Sequence, residues 1–215
     1  MEFAHCDRHG GTALIWDSIP WKADLLRVAD SLERRTVQRR WSERTSFLVE
    51  RDVMNAAYAV RKLIEARKVS DELAAETVPA REHTLIGRPV DVWNRHEFYV
   101  HYDMEHTQSV QLALADFCNQ VIHSWVWMLS VTEEPPHLFD GIFVSSDRKR
   151  RRCVYFLAAA TLVRVFRAVA DDDIVSIAML RDASGDMHIM KASRVLPADL
   201  GVPEESLREP PLGLQ

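Results

Sequence analysis

Wound as a helix, residues 114–125 place Asp116, Asn119, Gln120 and His123 within an arc of roughly 100°, opposite Leu114, Phe117, Val121 and Trp125. A solvated helix face usually recruits long charged side chains. This one holds an acid, two amides and an imidazole, with no Lys, Arg or Glu. An imidazole in a polar groove titrates near neutrality and can move protons. Asn119, one turn before His123, can orient a bound phosphate or fix the imidazole tautomer, and Asp116 can do the same. His123, Asn119 and Asp116 are therefore the candidate catalytic residues. Against them stands a structural account, in which His123 and Asn119 satisfy backbone or neighbouring side chains where helix meets sheet.

Two further patterns point to partners. Arg148, Lys149, Arg150, Arg151 and Arg152 are five consecutive cations at an expected hairpin tip. A projecting basic loop makes phosphate contacts, so these five are the candidate nucleic-acid-binding residues, for RNA or DNA. The competing account is a solvated turn kept soluble by its charge. Six tryptophans, with Trp125 and Trp127 two residues apart, suggest an aromatic surface at a homodimer interface, or simply core.

The segment Cys118-Asn119-Gln120-Val121-Ile122-His123 resembles the signature of HEPN domains, helical domains found in bacterial ribonucleases and in RNA-binding partners of toxin systems. Their shared pattern is Arg, then Asn or another polar residue, a few residues, and His, late in a helical bundle. Asn119 and His123 match, and Cys118 stands where the family has Arg. The resemblance implies an RNA-associated protein with a helical part over 17–132. It also implies a site whose arginine role is vacant or has moved to Arg61 or the Arg34–Arg44 run. A thiol cannot replace a guanidinium that stabilises a phosphorane-like transition state, because it offers no fixed positive charge. A ribonuclease is thereby disfavoured, and a nucleic-acid-associated accessory protein is the leading expectation. A non-catalytic interaction or oligomerisation module is the alternative.

Composition bounds these readings. The chain has 215 residues, 47% hydrophobic and 27% charged, enough for a substantial core. A formal charge of −5 argues against general coating of nucleic acid but leaves room for a local basic patch. Cys6, Cys118 and Cys153 lack paired spacing, which suggests a reducing cytoplasm and neither disulfides nor a zinc ribbon. No apolar run reaches membrane-spanning length, and the N-terminus lacks the basic-then-apolar order of a signal peptide, so a soluble cytoplasmic protein with no membrane partner is expected. Seven glycines, with no G-x-G-x-x-G or phosphate-loop signature, exclude nucleotide binding of the usual kinds. No cofactor is expected, and no metal. His5, Cys6 and His9 lack a fourth ligand, and His96, His101 and His106 alternate between strand faces.

Periodicity places these residues in an α+β chain: an N-terminal helical bundle with an inserted strand, followed by a small antiparallel sheet with one packed helix. Residues 1–16 read as an irregular leader. Trp21, Leu25, Val28 and Leu32 mark a first helix opened by Asp17, Ser18 and Pro20. Val49, Val53, Ala56, Val60, Leu63 and Ile64 mark a second, over 45–68. Alternation over 98–104 suggests the inserted strand. A helix carrying His123 then begins near 107–109, and residues 125–131 are helix or strand. Glu133-Glu134-Pro135-Pro136 is the best boundary, before an α+β part over 137–195 that shares its core with the helices. It comprises strands 141–146 and 153–157, a helix 158–170, and a hairpin of 174–181 with 187–191. A proline-rich tail occupies 196–215.

Overall fold

A computed structural model describes residues 15–197. The leader and tail expectations, and with them His5, Cys6 and His9, lie almost wholly outside the described residues.

The architecture is α+β. Helix α1 (Ile19–Arg35) begins where Asp17 Oδ1 accepts the Ile19 amide at 2.9 Å and Pro20 occupies the first turn, where a missing donor costs nothing. Helix α2 (Glu43–Glu65) is capped by Ser42, whose hydroxyl accepts from Thr45 N. A single turn, α3 (Asp71–Ala74), is capped in the same way by Ser70. Each long helix buries the stripe its periodicity marks. Leu25, Val28 and Leu32 of α1, and Val49, Val53, Val60 and Leu63 of α2, are buried.

Seven strands follow: β1 (Thr77–Leu85), β2 (Tyr102–Ala113), β3 (Ser124–Val131), β4 (Phe139–Ser146), β5 (Cys153–Ala158), β6 (Ser176–Arg181) and β7 (Met187–Ser193). The first five form one antiparallel sheet in the order β2-β1-β5-β4-β3, and β6 pairs with β7 alone. Helices α4 (Leu114–Ile122) and α5 (Ala159–Ala170) lie with α1 and α2 on one face of the large sheet, α1 beside α5 and α2 beside α4. A single core runs from Leu25 through Phe117 and Leu157 to Phe166 and Val169. The opposite face is covered by the segment between β1 and β2, where Val90 and Phe98, with Tyr102 at the start of β2, pack on Val126 and Val154.

Three local expectations change. The region before α4 supplies two strands, β1 and β2, which join β3–β5 in the same sheet. Pro79 does not prevent this. It faces Gln111 of β2 but lies beyond the stretch of β1 that pairs with β5, so its missing N–H leaves no ladder bond unmade there. Residues 95–100 form a 3-10 segment instead of a strand start. The helix carrying Asn119 begins at Leu114, not at 107–109, because residues 107–113 extend β2 against β1, with half-buried Val110 and Leu112 between exposed Ser109, Gln111 and Ala113. Residues 125–131, helix or strand by sequence, lie in strand β3, which begins at Ser124. Among the described residues, no helix is long and apolar enough to cross a membrane.

Candidate functional site

Helix α4 buries Leu114, Phe117, Cys118, Gln120 and Val121, and Phe117 packs on Phe166 of α5 with ring centroids 6.4 Å apart. That burial fixes the helix rotation and leaves Asp116 and His123 exposed and Asn119 half-exposed on the outer side. His123 ends the helix, donating its amide to Asn119 O at 3.1 Å, and the chain turns directly into β3. No hydrogen bond holds its imidazole among the described residues, and the ring is reachable from solvent.

The other wall comes from the loop between β4 and β5. Ser124 pairs with Ser146, so the start of β3 brings the end of α4 beside the end of β4. Two bonds lock the junction: Ser146 N donates to Gln120 Oε1 at 3.1 Å, and Asp147 N donates to His123 O at 3.3 Å. The loop itself is wound tightly. Lys149 N and Arg150 N both donate to Ser146 O, and Arg152 N and Cys153 N both donate to Lys149 O.

A polar cleft of about 500 Å³ results, lined by Asp116, Asn119, Gln120, His123, Ser146, Asp147, Arg148 and Lys149. Its volume lies within the usual range for small-ligand sites. Asp116, Asn119 and His123 thus share one concavity with two of the five basic-loop residues, although 25 positions of chain separate His123 from Arg148.

The other three basic residues do not line the cleft. Arg150 is a clamp: its Nε bonds Asp147 Oδ1 at 2.8 Å, its Nη1 donates to Val90 O, and its guanidinium lies 4.6 Å from the Trp125 ring centre. Tyr102 adds a bond from its hydroxyl to Arg150 O at 2.7 Å. With its side chain only 13% exposed, Arg150 positions the loop. Arg151 and Arg152 are exposed and do not line the cleft.

Cys118 is fully buried, and burial pushes its thiol up to about 12, so it is neutral and faces the core. Arg61 bonds Glu65 at 2.8 Å, and neither it nor the Arg34–Arg44 run lines the cleft. The cations that line the cleft with His123 are Arg148 and Lys149 of the β4–β5 loop. Sequence reasoning set Gln120 on the same polar face as His123 but did not bring Ser146 and Asp147 to it. The only signal of those two was an acid and two serines immediately before the basic run.

A larger groove of about 780 Å³ lies between α1 and α5, lined mainly by Phe139, Ala158, Ala159, Ala160 and Val163. Its Arg167 is tied to Asp30 at 2.8 Å and Glu33 at 2.7 Å, a bridge between the two helices. Thr36, Asp140 and Arg164 also line it, but it holds no imidazole or thiol, and the concavity that unites the imidazole with cations is the smaller one. Among the described residues, no group of three or more His, Cys, Asp or Glu side chains is placed to hold a metal ion.

Comparison with family models, with curated proteins and with solved structures finds no match to this chain.

Proposed function

We propose that this protein is a nucleic-acid-associated accessory protein that holds a phosphate of RNA or DNA in the cleft between α4 and the β4–β5 loop. One observation carries the reading: an exposed imidazole, His123, shares a cleft with the amide of Asn119 and the cations Arg148 and Lys149. Asp147 is engaged by Arg150, so Asp116 is the acid left to oppose those two cations in the cleft lining. An ionic ligand with exposed oxygens and a need for hydrogen-bond donors fits this lining better than an apolar one.

The helical part is read as a degenerate HEPN-like unit. With a buried neutral thiol at position 118, proton transfer at His123 has no cation one position before Asn119 to stabilise charge on phosphorus. Binding, not cleavage, is the function this arrangement supports best.

Fluorescence anisotropy with a labelled RNA over a range of salt concentrations tests the reading. Affinity should fall as salt rises. The double variant Arg148→Ala/Lys149→Ala should flatten the slope of log K against log[salt] by about 1.4, two single-strand phosphate contacts. A wild-type protein with no salt-dependent affinity for RNA or DNA overturns it.

A specific observation favours the second reading, an interaction module. The β6–β7 hairpin carries exposed Ile177, Met179, Leu180, Met187 and Met190, an adaptable apolar surface. Trp125 and Trp127, by contrast, are half-buried against neighbouring side chains. Light scattering at micromolar concentration, comparing wild type with Met179→Lys, tests self-association through the hairpin.

A further inference from the structure

The segment covering the second face of the sheet presents an aromatic surface that the cleft does not use. Trp93 is 85% exposed and Tyr99 is 53% exposed. Their backbone is fixed. Asp91 Oδ1 accepts from Trp93 N at 2.8 Å and Asn94 N at 3.2 Å, while the side chain of buried Asn94 accepts the Asp91 amide at 2.6 Å. Phe98 beneath is buried, and its ring meets Tyr99 edge-on at 6.1 Å. A turn fixed in this way sets the backbone that presents the indole, which lowers the ordering cost of meeting a flat partner.

This surface is joined to the basic loop. Arg150 Nη1 reaches Val90 O, and Leu85 N donates to Arg152 O at 2.8 Å. Trp93 lies three residues from Val90, a chain span of at most about 11 Å, and Arg148 lies two residues from Arg150, at most about 8 Å. Between and around them, Arg88, Arg95, Arg151 and Arg152 are exposed. Asp91 is engaged by backbone amides and Asp147 by Arg150, which leaves Glu97, beside His96 at 3.9 Å, as the exposed acid next to the aromatic pair.

The geometry points to a single-stranded nucleic acid as the ligand, with phosphates on Arg148 and Lys149 in the cleft and an unpaired base stacked on Trp93 a few nucleotides along. This rests on the phosphate-binding reading of the cleft and deepens it by naming the strandedness of the ligand. A duplex keeps its bases inside its own stack and cannot offer one to the indole, whereas a single strand can. Stacking on an indole is also tolerant of sequence, so discrimination by structure should exceed discrimination by base.

The test uses the full chain with two labelled probes, an oligouridylate of about ten nucleotides and an RNA duplex of the same length. Trp93→Ala should weaken single-strand binding about tenfold, with duplex binding within about twofold of wild type. Trp93→Phe should recover most of the loss, because a ring remains, while Trp93→Leu should not. The salt slope should be unchanged in all three, since no charge is removed. Trp93 is exposed, so the thermal midpoint should stay with wild type and serve as the folding control. Equal affinity for both probes, or single-strand binding indifferent to Trp93→Ala while Arg148→Ala/Lys149→Ala still weakens it, overturns the stacking inference and leaves the cleft reading standing. Absence of salt-dependent binding in wild type overturns both.

Discussion

Gln120 Oε1 accepts the Ser146 amide at 3.1 Å, and this buried bond is the side-chain link between the helix that carries His123 and the loop that carries Arg148 and Lys149, beside the backbone bond from Asp147 N to His123 O. The two residues lie 26 positions apart in the chain and close the floor of the cleft from opposite sides.

Replacing Gln120 with Ala leaves a buried amide without a partner and should destabilise the fold by about 1–3 kcal/mol. Gln120→Glu keeps an acceptor oxygen and should lose less. Urea midpoints on both variants check the ordering, and RNA affinity of the folded fraction checks the cleft. A Gln120→Ala protein as stable as wild type would mean the bond contributes nothing.

Arg150 and Arg151 are neighbours in sequence with opposite assignments. Arg150→Ala removes the Asp147 pair, the bond to Val90 O and the contact with Trp125, and should cost about 2 kcal/mol. Arg151→Ala is a surface change and should stay within about 0.5 kcal/mol. Thermal melts of the two variants side by side decide the matter, and equal losses would contradict the clamp.

His83 gives the fold a pH dependence. Its ring is buried, Nδ1 lies 3.1 Å from Asp103 O, Nε2 has no partner, and Phe143 packs edge-on at 5.5 Å. Burial lowers its pKa from the ordinary 6.5; the nearby Arg81 lowers it further, and the Asp103 carbonyl and carboxylate oppose the shift. The unfolded chain therefore binds the proton more readily than the native one. The stabilising contribution is complete above about pH 6.5 and is lost as pH falls below that value toward the lower native pKa. Denaturant midpoints at about pH 7.5 and about pH 5.5 should drop more for wild type than for His83→Leu, which has no group to titrate there. Equal drops would remove His83 as the cause.

Asp172 should be a stability hot spot. Its carboxylate is fully buried and accepts from Ser70 N at 2.6 Å and Ser70 Oγ at 2.7 Å, joining the end of α5 to the residue that caps α3. Asp172→Ala removes both acceptors and should cost about 3 kcal/mol, while exposed Asp173→Ala should be near neutral. Unfolding curves for the pair measure the contrast.

The local elements were legible wherever a period ran long enough to be unambiguous. Leu25, Val28 and Leu32, then Val49, Val53, Val60 and Leu63, mark α1 and α2 because a helix must bury a stripe at that spacing whatever it packs against. The hairpins β4–β5 and β6–β7 and helix α5 follow from apolar runs broken by charged or small-residue turns. The acidic run after α5 shows the limit: three adjacent aspartates look alike in sequence, and only packing turns Asp172 inward and leaves Asp171 and Asp173 in solvent.

Sequence alone determined the helical stripes, the charged turn at 148–152 and the polar face of residues 116–123, because each depends on neighbours within a few positions. Tertiary structure decided that residues 77–85 are a strand and that α4 begins only at Leu114, since both rest on pairing between β1 and β2 across about 20–40 positions of chain. It also decided that the imidazole of His123 and the cations of Arg148 and Lys149 line one cleft while Arg150 turns away. That meeting is created by the Ser124–Ser146 register and the Gln120 bond, contacts between distant segments whose geometry no local periodicity encodes.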